Sequence, residues 1–146
     1  MRELPRKLTV DELAELFEGR TRLVECLAGI EDPLGRADEV IADLDEADKL
    51  EALAAHPAIG QQTGLSTRSA VEQGGYVDPC VLVELAALNA SYEKRFGFRF
   101  VVFVDGRPKD EIVPVLHERL RRSREEELDT GCRELVAIAR DRWTRT

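Results

Sequence analysis

This chain has little with which to build a metal or redox centre. Its two histidines, His56 and His117, stand far apart with no ligand-like spacing, so a protein-built zinc site is not expected. Its three cysteines, Cys26, Cys80 and Cys132, form no CxxC pair. They read as buried or semi-buried reduced thiols of a cytosolic protein, with no nucleophilic role. There is no glycine-rich phosphate loop. No stretch approaches the ~20 apolar residues of a membrane span. The opening MRELPRKLTVDEL lacks the apolar run of a signal peptide, so a cytoplasmic location is expected. Basic residues are also in deficit, 21 Lys+Arg against 29 Asp+Glu, for a net charge of −8. That balance argues against a nucleic-acid partner, which needs a basic patch. It leaves room for an anionic small molecule, because a pocket can be locally positive on an acidic protein. Repeats and low-complexity tracts are absent.

What is present fits one soluble domain spanning residues 1–146. With 146 residues, 43% hydrophobic and 34% charged, such a chain can bury roughly 68–70% of its unfolded surface. Helical periodicity dominates. Thr9-Val10-Asp11-Glu12 is a capping-box pattern ahead of Leu13, Leu16 and Phe17. A second helix is expected from Thr21 to Ile30, broken by Asp32-Pro33-Leu34-Gly35. Two short helices follow, Ala37 to Leu44 and Glu46 to Ala55. Pro57 stops the second, because the residue before a proline is pushed out of the α region. That residue is His56, expected at a helix end facing open space. After a loop from Gly60 to Leu65, Ser66 is a plausible cap for a helix through Gln73. Asp78-Pro79 starts a long helix to Phe96, with Leu82, Leu85, Ala86, Asn89 and Tyr92 near one stripe. Lys109 to Arg121 reads as helical despite Pro114. Ser123-Arg124-Glu125-Glu126 caps a last helix to about Trp143. Only Phe98 to Val104 is apolar and β-branched enough for a strand, and it has no partner. The expected fold is therefore an all-α bundle of about seven to nine helices with one short buried extended segment.

The residues with chemistry lie in one region. His56-Pro57-Ala58-Ile59-Gly60 is followed by Ser69, Glu72 and Gln73, which share one face if that stretch is a helix. An imidazole and a carboxylate beside two neutral hydrogen-bonding groups suit proton transfer on a small polar molecule. An unperturbed imidazole titrates near pH ~6.5 and can deliver or take a proton at neutral pH. Each residue also has a plainer reading. His56 could simply meet helix-terminal carbonyls, Glu72 could be a solvated carboxylate, and Arg142 could be half of an exposed ion pair. The side chains of Phe100, Val101, Val102, Phe103 and Val104 read as core. Their backbone groups, lacking a strand partner, must find other partners, and a flat substrate rich in donors and acceptors could supply them.

Four motifs in order, HPAIG, SAVEQG, LNASYEKRFGFRFVV and an Arg-bearing final helix, make the chain resemble the OHCU decarboxylase family from about Leu8 to Trp143. OHCU is 2-oxo-4-hydroxy-4-carboxy-5-ureidoimidazoline, an intermediate of urate breakdown. The resemblance implies a cofactor-free decarboxylase giving (S)-allantoin and CO2, with no metal and no bound cofactor. It implies that His56 is the catalytic proton donor and that Glu72 is its catalytic partner, raising the imidazole's proton affinity. It assigns substrate binding to Pro57, Ser69, Gln73, the backbone of Phe100 to Val104, and Arg142. The pattern Ile138-Ala139 then Arg142 favours Arg142 over Arg140. A homodimer is implied by the family alone. The sequence departs from the pattern at Arg99, where the family usually has proline within FGFPF, and two loop regions look short. These departures leave two alternatives open: a decarboxylase of a related carboxylated cyclic ureide, and a non-catalytic helical binding module.

Overall fold

The structure, a computed structural model, describes residues 7–59 and 78–145. Among these residues there are seven α-helices and no strand. They are α1 (Val10–Phe17), α2 (Arg22–Leu27), α3 (Ala37–Ala42), α4 (Glu46–Ala54), α5 (Pro79–Phe96), α6 (Lys109–Leu120) and α7 (Arg124–Arg145). The helix expected from Ser66 to Gln73 lies outside the described residues. None of the described helices is long and apolar enough to cross a membrane.

Local chemistry explains where the helices begin. Thr9 and Glu12 close the capping box: the Glu12 N–H donates to Thr9 Oγ1 at 3.2 Å, and the Thr9 N–H to Glu12 Oε1 at 3.1 Å. Ser123 and Glu126 repeat the device at α7, with both bonds at 3.1 Å. Asp78 accepts from the Cys80 N–H at 2.8 Å, and Pro79 occupies the first turn of α5.

The ends differ from expectation in places. Helix α2 stops at Leu27, three residues short of Ile30. Ala28 turns extended, and Gly29, with φ +76°, sends its N–H to the Leu8 carbonyl at 3.1 Å. Helix α3 stops at Ala42 rather than Leu44, α4 at Ala54 and α6 at Leu120, while α7 runs on to Arg145. Ala86 is exposed and does not belong to the buried stripe of α5. That stripe is Leu85, Asn89, Tyr92 and Phe96, the 3.6-residue spacing of a single face.

Helix α7 packs against α1, α3 and α4, while α5 packs against α6. The α4–α7 approach is close at Gly131, where an added Cβ would lie 3.1 Å from Leu53 Cδ2. That contact seats the helix whose end carries His56. Residues 98–104 thread the core without a strand partner. Phe98, Phe100, Val101, Val102 and Val104 are buried, and the Tyr92 ring meets Phe96, Phe98 and Phe100 at 4.6, 5.9 and 5.2 Å between centroids. This aromatic cluster fixes one end of the segment.

Candidate active site

His56 lies just beyond α4, where Ala55 still has helical backbone and Pro57 forbids a further turn. The expectation that it faces open space is wrong: the residue is only 4% exposed. It lines a cavity together with Ile59 and residues 100–104, and Arg99 donates to its carbonyl, so the helix end is covered by the segment after Phe98. Its Nε2 has no hydrogen-bond partner among the described residues. Burial, the dominant cause, and the Arg142 and Arg99 guanidiniums push the imidazole down to about 4; Glu18 opposes them. The ordinary value near 6.5 therefore does not apply, and in this pocket the ring is neutral at pH 7.

His56 and Pro57 form one wall of a cavity of about 110 Å³. Phe100, Val101, Val102, Phe103 and Val104 form a second wall, with Asp105 and Gly106 at the turn beyond them. Ile138, Asp141, Arg142 and Arg145 of α7 form the third. The structure thus brings together His56, Pro57, residues 100–104 and Arg142, which are distant in sequence. Ser69, Glu72 and Gln73 lie outside the described residues.

Arg142 is 2% exposed. Its Nη1 donates to the Glu15 and Leu16 carbonyls at 3.3 and 3.2 Å, and its Nη2 to Glu18 at 2.8 Å. One guanidinium thus caps the carbonyl end of α1 and also lines the cavity. Arg140, two residues earlier, points elsewhere, to the Leu34 carbonyl at 2.9 Å and toward Asp38 at 3.7 Å. Two residues on a helix are about 200° apart, so only one of the pair can face the cavity.

Side chains of α6 and α7, together with Arg107, hold the second wall. Arg119 Nη1 donates to the Val101 carbonyl at 2.6 Å. Glu134 accepts from the Phe103 N–H at 3.3 Å, and Arg107 donates to the Phe103 and Val104 carbonyls at 2.7 and 2.9 Å. Val102, between them, has neither its N–H nor its C=O bonded among the described residues. The segment ends in a turn closed by Arg107 N–H to Val104 O at 3.1 Å. Asp105 and Gly106 both have positive φ there, the pattern of a type I′ turn. Behind the wall, Glu127 is fully buried. It accepts from Tyr92 Oη and Arg119 Nε, both at 2.7 Å, and from Arg122 Nη1 at 3.0 Å. Burial, then this bond to Glu127, raises the Tyr92 phenol, so it stays protonated and donating.

Three features escape a reading of the sequence. Glu18, the non-glycine left-handed cap of α1 (φ 66°), is the carboxylate that meets Arg142. Arg99 donates to the His56 carbonyl at 2.7 Å. The Arg119–Glu127 pair supports the backbone wall. The first two act across large sequence separations, the third joins two helices across a turn, and none carries a local motif. The cysteines depart from expectation at one position: Cys132 is buried and Cys26 half-buried, but Cys80 is exposed. Burial pushes the Cys132 thiol up to about 11, which makes it a poor nucleophile. Among the described residues no cluster of His, Cys, Asp and Glu could hold a metal ion.

The all-α fold that carries this cavity has solved counterparts. A crystal structure of OHCU decarboxylase in the presence of (S)-allantoin superposes with a TM-score of 0.75, covering 92% of this chain and 96% of that one at 24% identity, a likeness of fold. The OHCU decarboxylase family model matches residues 2–144, so the chain belongs to that family. The uric acid degradation bifunctional protein PucL of Bacillus subtilis (strain 168) is 27% identical over 97% of this chain, which spans 31% of PucL. The 2-oxo-4-hydroxy-4-carboxy-5-ureidoimidazoline decarboxylase of Halalkalicoccus jeotgali is 29% identical over 68% of this chain and 58% of its own length. The chain thus spans from about a third to somewhat over half of these two relatives.

Proposed function

We propose that this chain decarboxylates OHCU to (S)-allantoin and CO2 without a cofactor, in urate breakdown. The observation that carries the reading is a buried imidazole nitrogen with no partner among the described residues, lining one cavity with backbone groups likewise unbonded among them and with a buried guanidinium. Family membership supplies the substrate. Loss of CO2 leaves an electron pair that the conjugated ring of the substrate holds as an enol-type intermediate. A proton must then reach one face of a ring carbon, and His56 is the group assigned to bring it. Positioned proton transfer contributes ~10²–10⁴-fold, and stabilisation of the intermediate's charge supplies the rest.

The depressed proton affinity of His56 shapes this mechanism. With its proton affinity held down to about 4, the ring is neutral at pH 7, and a neutral imidazole is a weak acid. A substrate carboxylate entering the cavity, with Glu72 as the family pattern assigns it, would raise that affinity. Substrate binding then takes up the proton that turnover consumes. In this reading Val102 presents an N–H and a C=O to the ureide, Arg142 faces the substrate's anionic edge, and Pro57, Ser69 and Gln73 complete the ring's surroundings. A cytoplasmic location and a homodimer, the first supported by three free thiols and the second by family resemblance, belong to the same proposal.

The test is an assay of freshly generated OHCU that follows circular dichroism as well as absorbance. Wild type should build up one allantoin enantiomer. His56→Asn should stay folded and leave only slow, racemic product, with Glu72→Gln between the two. A folded His56→Asn protein making one enantiomer at near wild-type rate would remove His56 from the mechanism. A wild type that binds allantoin in a thermal-shift screen but never accelerates OHCU decay would favour a binding module.

A further inference from the structure

We propose that Arg99 is a positioning residue of this site, its guanidinium fixing the backbone at which His56 leaves α4 and so setting where the imidazole stands. Helix α4 ends without a glycine to close its last turn, and Pro57 offers no N–H. The terminal carbonyls must be met by other donors. Arg99 Nη1 meets them, donating to His56 O at 2.7 Å and reaching Ala54 O at 3.4 Å. On its other side Arg99 Nε donates to Glu93 Oε1 at 3.2 Å, on the last turn of α5, which holds the guanidinium plane. The backbone of Arg99 is itself anchored, because its neighbours Phe98 and Phe100 are 5% and 1% exposed in the aromatic cluster. One side chain therefore ties together the end of α4, the end of α5 and the segment that forms the second wall of the cavity.

Position 99 is where the family pattern has proline, a residue with no donor at all. Arg99 also adds charge. Among the described residues, the charged groups that act on the His56 imidazole are Arg142 from α7, Glu18 from the end of α1, and Arg99 itself, with Asp141 and Arg145 on the α7 wall of the same cavity. Arg99 stands with Arg142 on the side that favours the neutral ring. Removing it should raise the proton affinity of His56 as well as loosen its turn.

The effect on turnover rests on the decarboxylase reading, but the tether does not, and the experiment separates them. Histidine-labelled wild type, Arg99→Ala and Arg99→Lys are titrated by NMR. Only two imidazoles report, and the exposed His117 on α6 is the internal reference. In Arg99→Ala the His56 midpoint should move up by a few tenths to about one pH unit, with His117 unchanged. Arg99→Lys keeps the charge but not the two-sided geometry. Its midpoint should stay near wild type, while its neutral-form ring resonances shift. With OHCU, both variants should lose roughly three- to tenfold in kcat with KM within about twofold. Identical His56 titration and resonances in all three proteins would overturn the proposal, whether or not the wild type turns OHCU over. If Arg99→Ala does not fold, the resonances of Arg99→Lys alone decide. A wild type inactive on OHCU with the titration shift present would sink the decarboxylase reading and leave the tether standing.

Discussion

Burial of a neutral histidine makes a quantitative demand on how stability varies with pH. In the unfolded chain His56 titrates near 6.5; in the fold it is held down to about 4. The folded state therefore binds fewer protons than the unfolded state between these values. Stability is fully present above about pH 6.5, falls as pH drops toward 4, and loses nothing further from this group below that. At about pH 5.5 the unfolded imidazole is protonated about ten to one and the folded one hardly at all. The linkage term is then RT ln 11, about 1.4 kcal/mol, against almost nothing at about pH 7.5. The whole interval corresponds to about 3 kcal/mol, a large share of a typical 5–15 kcal/mol. For a chain of this size 1.4 kcal/mol moves Tm by about 4 °C. Other groups titrate in the same range, so the measurement is a difference. Urea melts of wild type and His56→Asn are taken at several pH values from about 7.5 to 5.5, above the pI of about 4.9. The wild-type free energy should fall by about 1.4 kcal/mol more than the variant's over that span. Parallel curves would show that His56 is not a buried neutral ring, and the closed cavity wall described above would have to be abandoned.

The remaining predictions concern the walls around that ring. Arg142→Lys should raise KM for OHCU by about tenfold or more, because an ammonium cannot reproduce the fork that meets α1 and Glu18; Arg140→Lys, bonded away from the cavity, should stay within about twofold. Steady-state kinetics giving the reverse ranking would mean that the wrong face of α7 has been assigned. Glu127→Gln should cost about 3 kcal/mol or more, since it leaves Arg119 buried without its counter-charge; a urea midpoint unchanged from wild type would contradict the buried network. Exhaustive chelation should leave turnover unchanged, and activity that vanishes with chelator and returns with a divalent metal would refute a metal-free reaction.

The helices were legible because their signals are local. The capping boxes at Thr9 and Ser123 and the Asp78-Pro79 start each act within one turn, and each stands where the sequence puts it. Helix ends were less legible where a distant partner decides them, as when Gly29 leaves α2 to bond Leu8. The site was legible only in part. The His-Pro sequence places His56 at a helix end, but nothing local says that three other elements close over it. Arg142 can be singled out by pattern; its bonds to Glu15, Leu16 and Glu18 cannot, because they join residues more than a hundred positions apart. The backbone of residues 100–104 was expected to await a substrate. In the fold part of it, three carbonyls and one N–H, is already occupied, because Arg119, Glu134 and Arg107 are long enough to reach it.

That last point bears on how an all-α fold can present a reading edge at all. A strand inside a sheet has both of its edges satisfied by neighbours. An isolated extended segment in a core has neither, and the cost of leaving buried N–H and C=O groups unpaired would expel it. Here polar side chains meet the Val101, Phe103 and Val104 carbonyls and the Phe103 N–H, which offsets part of that cost, while among the described residues Phe100 and Val102 keep both backbone groups unbonded beside the cavity. The side chains that do this are themselves charged and must be neutralised. Glu127 does so for Arg119, and it is met in turn by Tyr92 and Arg122. The charges nearest His56 are balanced differently. Among the described residues, Arg99 and Arg142 disfavour its protonation and Glu18 favours it. A chain with net charge −8 thus has, among its described residues, a net positive influence at its buried imidazole. An anion entering the cavity offsets that influence and returns to the ring the proton affinity that burial removes.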